Sequence, residues 1–108
     1  MTSLQEILER LEKATGPDRE LDIAIYVFDS AQEAVDHVKA PAYTASVEIA
    51  VTLVPSQFEW TVAQNDGLAF VWEPVGPYQR SQHKRLFQGT AATHAIALCI
   101  AALKARQS

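Results

Sequence analysis

Apolar residues recur along this chain with two different periods, and the periods divide it into helices and strands. Leu4, Ile7, Leu8 and Leu11 fall at i, i+3, i+4 and i+7, with Glu6, Glu9, Arg10, Glu12 and Lys13 on the other face, the stripe of an amphipathic helix over 3–14. Ser3 and Glu6 fit a capping box for its first turn. Glu9 and Lys13 add an i, i+4 pair worth about 0.3 kcal/mol. Gly16 can take a left-handed conformation to close this helix, and Pro17 suits the first turn of a second. Leu21, Ala24, Ile25 and Phe28 then continue at helical spacing, broadened by Ile23 and Val27. The second helix, over 17–28, leaves little for water except Arg19, Asp22 and Tyr26, with a strand over 23–28 as the weaker alternative. Ser30 and Glu33 form a second capping box, ahead of a short helix at 31–39 that Pro41 would stop.

From 46 to 54 the pattern is ambiguous. Val47, Val51 and Val54 satisfy helical spacing, whereas Val47, Ile49, Val51 and Leu53 alternate as in a strand. Two aromatic runs follow, Phe58-Glu59-Trp60-Thr61-Val62 and Leu68-Ala69-Phe70-Val71-Trp72, joined through Asn65-Asp66-Gly67, a hairpin signal spanning 58–73. A two-residue loop would pair Thr61 with Trp72. A three-residue loop with Gly67 left-handed pairs Val62 with Phe70 and Trp60 with Trp72, gathering the aromatics on one face, and it is the expected register. Pro74-Val75-Gly76-Pro77 breaks the pattern, and residues 78–88 are polar and irregular, the expected mobile segment, with room for a third strand near 85–87. The C-terminal segment, 90–106, is a run of strong helix formers. Every residue over 95–103 is apolar, so this helix should be covered on more than one side, its alanines allowing close approach. The fold class expected is α+β: a small antiparallel sheet packed by helices.

Composition adds bounds. The chain has 108 residues, 48% of them apolar, enough for one compact domain over 1–108 that buries roughly 60–70% of its unfolded surface, and too little for a two-domain enzyme. No apolar stretch approaches the roughly 18 residues of a membrane span, and the first residues lack the pattern of a signal peptide. Cys99 is the sole thiol, so no internal disulfide forms and the cytoplasm is the default compartment. With 13 acidic and 9 basic side chains, the balance disfavours sequence-independent binding of nucleic acid. The charge is uneven: residues 1–54 hold 4 basic and 10 acidic side chains, net −6, and residues 55–108 hold 5 basic and 3 acidic, net +2. Such a dipole can steer a partner protein or favour self-association.

Chemistry-bearing motifs are few. His37, His83 and His94 lie in separate segments without metal-ligand spacing, so neither a metal nor any other cofactor is expected. Cys99 falls in the most apolar stretch, where burial keeps a thiol neutral, and His94 stands about 140° from it around the helix, so the two form no dyad. Glu59 and Glu73 would face one another in the expected register and repel, which describes a solvated surface better than a catalytic pair. No catalytic residues are assigned. Arg80, His83, Lys84 and Arg85 form a basic cluster flanked by Tyr78 and Phe87, which could touch nucleic acid in a regulatory role. Tyr78, Arg80, Lys84, Arg85, Trp60 and Trp72 are the candidate partner-binding residues. The two tryptophans are interface candidates only if their face is left partly open, and core packing is the favoured reading for them.

Three segments resemble a family of small phage and prophage proteins described as the phage ABA sandwich domain. They are Leu11-Glu12-Lys13-Ala14 leading into T-G-P-D-R-E-L-D at 15–22, Tyr43-Thr44-Ala45-Ser46 leading to Leu53-Val54-Pro55, and 91–93 through 101–106. The resemblance implies a helix over 46–53, a helix, sheet, helix layering, and a bacterial host. It supplies no activity and no site residues. The expectation is a non-enzymatic accessory protein, cytoplasmic in the bacterial host cell, that binds a host or phage protein, with a host-defence component such as a CRISPR effector among the targets. A small regulator using the basic loop at 78–88 is the alternative.

Overall fold

In a computed structural model of the chain, residues 3–30, 40–63, 67–75 and 83–107 are described. The expected helix at 31–39 and part of the 75–88 segment lie outside them. Among them, four helices and a three-stranded antiparallel sheet follow in the order α1 (Leu4–Lys13), α2 (Arg19–Ser30), α3 (Val47–Ala50) with a 3-10 turn at Val51–Leu53, β1 (Glu59–Val62), β2 (Leu68–Pro74), β3 (His83–Thr90) and α4 (His94–Gln107). The strand order is β1-β2-β3. This is a small α+β fold, as the periodicities predict.

Most of the local signals act at the expected places. Ser3 Oγ accepts from the Glu6 N–H at 3.2 Å and starts α1, which buries Ile7, Leu8 and Leu11. The helix ends through extended backbone at Ala14 rather than at Gly16, whose φ lies outside the left-handed region. Asp18 caps α2, its Oδ1 accepting from the N–H groups of Glu20 at 2.9 Å and Leu21 at 3.2 Å. Ser30 is the last residue of α2, and the helix expected after it lies outside the described residues. Over 46–54 the helical alternative holds, shortened to one α-helical turn and a 3-10 turn. Thr93 starts α4 by accepting from the Ile96 N–H at 3.2 Å, so the helix begins at His94, after Thr90 has closed β3.

The core is arranged around α4. Every residue from 95 to 103 is buried. The helix contacts β2 and β3 on one side and α1 and α3 on the other, so among the described residues α4 is itself a middle layer. Its two cations tie it to both neighbours: Lys104 Nζ donates to the Gln88 carbonyl at 3.1 Å and Arg106 Nε to the Leu53 carbonyl at 2.8 Å.

The contact between α4 and the sheet is close enough to exclude side chains. A Cβ placed on Gly89 would sink into the Ala97 carbonyl and lie 2.9 Å from Ala101 N. Glycine is therefore required there for proximity, a use that needs no unusual dihedral. Gly67 serves the same purpose against Ala91, whose N–H donates to its carbonyl at 2.8 Å. Its φ is not left-handed, contrary to the three-residue-loop expectation.

The hairpin register differs from both expected alternatives. Glu59 pairs with Trp72, Trp60 with Val71, Thr61 with Phe70 and Val62 with Ala69, one residue out of step with the expected three-residue-loop pairing. A one-residue slip moves every side chain of a strand to the other face relative to its neighbour. The helix side of the sheet therefore presents Trp60 and Val62 beside Val71 and Ala69, and the outer side presents Glu59 and Thr61 beside Trp72 and Phe70. Steric room explains the choice. Beneath α4 only Ala69 and Val71 of β2, both fully buried, fit opposite Gly89 and Phe87, and the bulky Phe70 and Trp72 turn outward.

Pro74 ends β2, the central strand, where the β2–β3 register shifts. Proline has no N–H to offer the ladder, and the end of a strand at an irregularity is where it is tolerated.

Candidate functional site

Of the six candidate residues, the side chains of Arg85, Trp60 and Trp72 are described, and these three do not converge on one site. Tyr78 and Arg80 lie outside the described residues. Lys84 is on β3 next to the register shift, with its side chain outside the description. Arg85 is engaged within the fold: its guanidinium meets Glu73 Oε2 at 2.7–2.9 Å and lies 5.8 Å from the Phe58 ring centroid. Phe58 in turn sits 6.3 Å from Phe87, centroid to centroid. This row stabilises the helix side of the sheet, an arrangement in which a cation gains from both a carboxylate and a ring face.

Trp60 and Trp72 occupy opposite faces of the sheet. Trp60, 38% exposed, is on the edge strand on the helix side. Trp72 is half-buried on the outer side, between Glu59 of β1 and Leu86 of β3. The expected single aromatic face is therefore not formed, and the expected repulsion of Glu59 and Glu73 does not arise. Glu59 is opposite Trp72, whereas Glu73 is on the other face with Arg85.

What the corrected register assembles is an apolar outer face. Leu68, Phe70 and Trp72 line its central strand, all half-buried. Leu86 of β3 stands beside Trp72 and is 48% exposed, the most exposed large apolar side chain described. Polar residues border it, Thr61 and Glu59 on β1 and Gln88 and Thr90 on β3. An apolar centre with a polar rim is the anatomy of a protein-binding patch. Sequence reasoning missed Phe70 and Leu86. The usable signal was the small residues Ala69 and Gly89 matched to Ala97 and Ala101, which fix the inward face by size.

A second polar constellation lies inside the molecule. Asp22 and Thr44 are 3% and 1% exposed. Asp22 Oδ1 accepts from both the Thr44 N–H and its hydroxyl at 2.8 Å, and Thr44 Oγ1 accepts from the Asp18 N–H at 2.8 Å. Asp22 Oδ2 is 3.5 Å from the Arg19 guanidinium. Next to this cluster the Cys99 thiol donates to the Tyr43 carbonyl at 3.3 Å. Burial pushes that thiol up to about 12 from an ordinary 9.0, with the charge of Asp22 adding to the effect. It is a neutral packing group, not a nucleophile. Asp22, expected to face water, is instead the acceptor that holds the 43–44 turn against α2. This joins two of the segments that carry the family resemblance, 15–22 and 43–46.

His94 Nε2 is buried without a hydrogen-bond partner. A cleft lined by Glu12, Gln88, Thr90, Ile100 and Lys104 opens widely to solvent. Among the described residues, no three His, Cys, Asp or Glu side chains stand together as a metal site, and no helix is long and apolar enough to cross a membrane. The chain matches no family model, no curated protein and no solved structure.

Proposed function

We propose that this is a non-enzymatic protein that works by binding another protein through the outer face of its sheet. The observation that carries the reading is the row Leu68, Phe70 and Trp72 with Leu86, the last 48% exposed, on a sheet whose opposite face is covered by α4. Contiguous apolar surface rimmed by polar groups marks interaction sites on small proteins, and tryptophan and its neighbours supply the buried anchors of such contacts. Binding is also favoured over catalysis because the only thiol is a buried, protonated packing group.

The phage or prophage origin rests on the resemblance of residues 11–22, 43–55 and 91–106. With it, the proposed partner is a host or phage protein in the bacterial cytoplasm, a host-defence component such as a CRISPR effector being the target to try first. Nucleic-acid binding through Arg80, Lys84 and Arg85 is the weaker reading, since Arg85 is already paired with Glu73.

The test compares capture of host and phage proteins by the native chain, by a Phe70→Thr/Leu86→Lys variant, and by a Glu9→Lys control on α1. Each is first shown to be folded by circular dichroism and its urea midpoint. The expected result is a defined protein captured by the native chain and the control and lost from the double variant. Undiminished capture by the double variant overturns the assignment of the face. Failure of the folded native chain to retain any host or phage protein overturns the binding reading itself.

A further inference from the structure

We draw no further inference here: the strongest candidate, the apolar outer face of the sheet around Phe70 and Leu86, belongs to the site already described, and nothing in the structure shows whether a second copy or another protein covers it.

Discussion

Burying a carboxylate is costly unless its lone pairs are satisfied, and Asp22 meets that condition through Thr44 and Arg19. Asp22→Ala would strand the Thr44 N–H and leave its hydroxyl only the longer bond to the Asp18 carbonyl at 3.3 Å, and should destabilise the fold by about 3 kcal/mol. Asp22→Asn keeps the Oδ1 acceptor and should cost only about 1 kcal/mol. Urea titrations that rank the two variants in the reverse order would contradict this role. Cys99 gives a pH signature. Its thiol loses a proton above 9.0 when unfolded but holds it to about 12 when folded, so between these values the unfolded state binds fewer protons. Its contribution to stability is complete below pH 9 and is lost as pH rises towards 12, at about 1.4 kcal/mol per unit. The stability of Cys99→Ala should therefore fall less steeply than that of the native chain over this window, and parallel curves would argue against a protonated native thiol. At this scale the sequence disclosed the burial of Cys99, because it is the centre of a run of nine consecutive apolar residues. It did not disclose Asp22. A carboxylate on a helix is ordinarily solvated, and its partner Thr44 is 22 positions away.

The elements are set by how closely α4 approaches the sheet. Gly89 has no space for a methyl group between β3 and the Ala97–Ala101 turn of the helix. Gly89→Ala should therefore cost about 1–3 kcal/mol or more through forced displacement. Gly16→Ala is the matching control. It has open space and a backbone that other residues adopt, and should be neutral or stabilising by about 0.4–1 kcal/mol. Equal thermal midpoints for the two variants would contradict the close approach. The helices were legible, because their stripes and caps are local: Ser3 caps α1, and the apolar run of α4 predicted cover on two sides. The hairpin register was not. Placing the largest side chains together inside assumes that the core has room for them, and the room is decided by α4, a later element. Ala69 and Gly89 are the residues that fit, so the aromatic residues of β2 turn outward.

At the scale of the molecule, α4 separates two unlike surfaces. On one side lie α1 and α3, from the half of the chain with a net charge of −6, with Arg10 and Glu20 bridging α1 and α2 at 3.4 Å. On the other is the sheet, whose outer face is apolar at its centre. The charge division read from the sequence thus separates a charged helical layer from an apolar sheet surface, and the second is where binding is proposed. Because Leu86 is already about half exposed, Leu86→Lys should change stability by less than about 0.5 kcal/mol while abolishing capture. A large loss of stability would mean that the face is closed within the fold.

All of this depends on the β1–β2 register, and nuclear Overhauser contacts between backbone Hα protons measure it directly. Ala63 N–H donates to the Leu68 carbonyl at 2.9 Å, which makes 63 and 68 a hydrogen-bonded pair. The close, non-hydrogen-bonded pairs are then Val62 with Ala69 and Trp60 with Val71, about 4.5 Å apart at Cα. Strong Hα–Hα contacts at those two pairs are predicted. Contacts joining Trp60 to Trp72 or Val62 to Phe70 would bring the aromatics back to a single face and contradict the account.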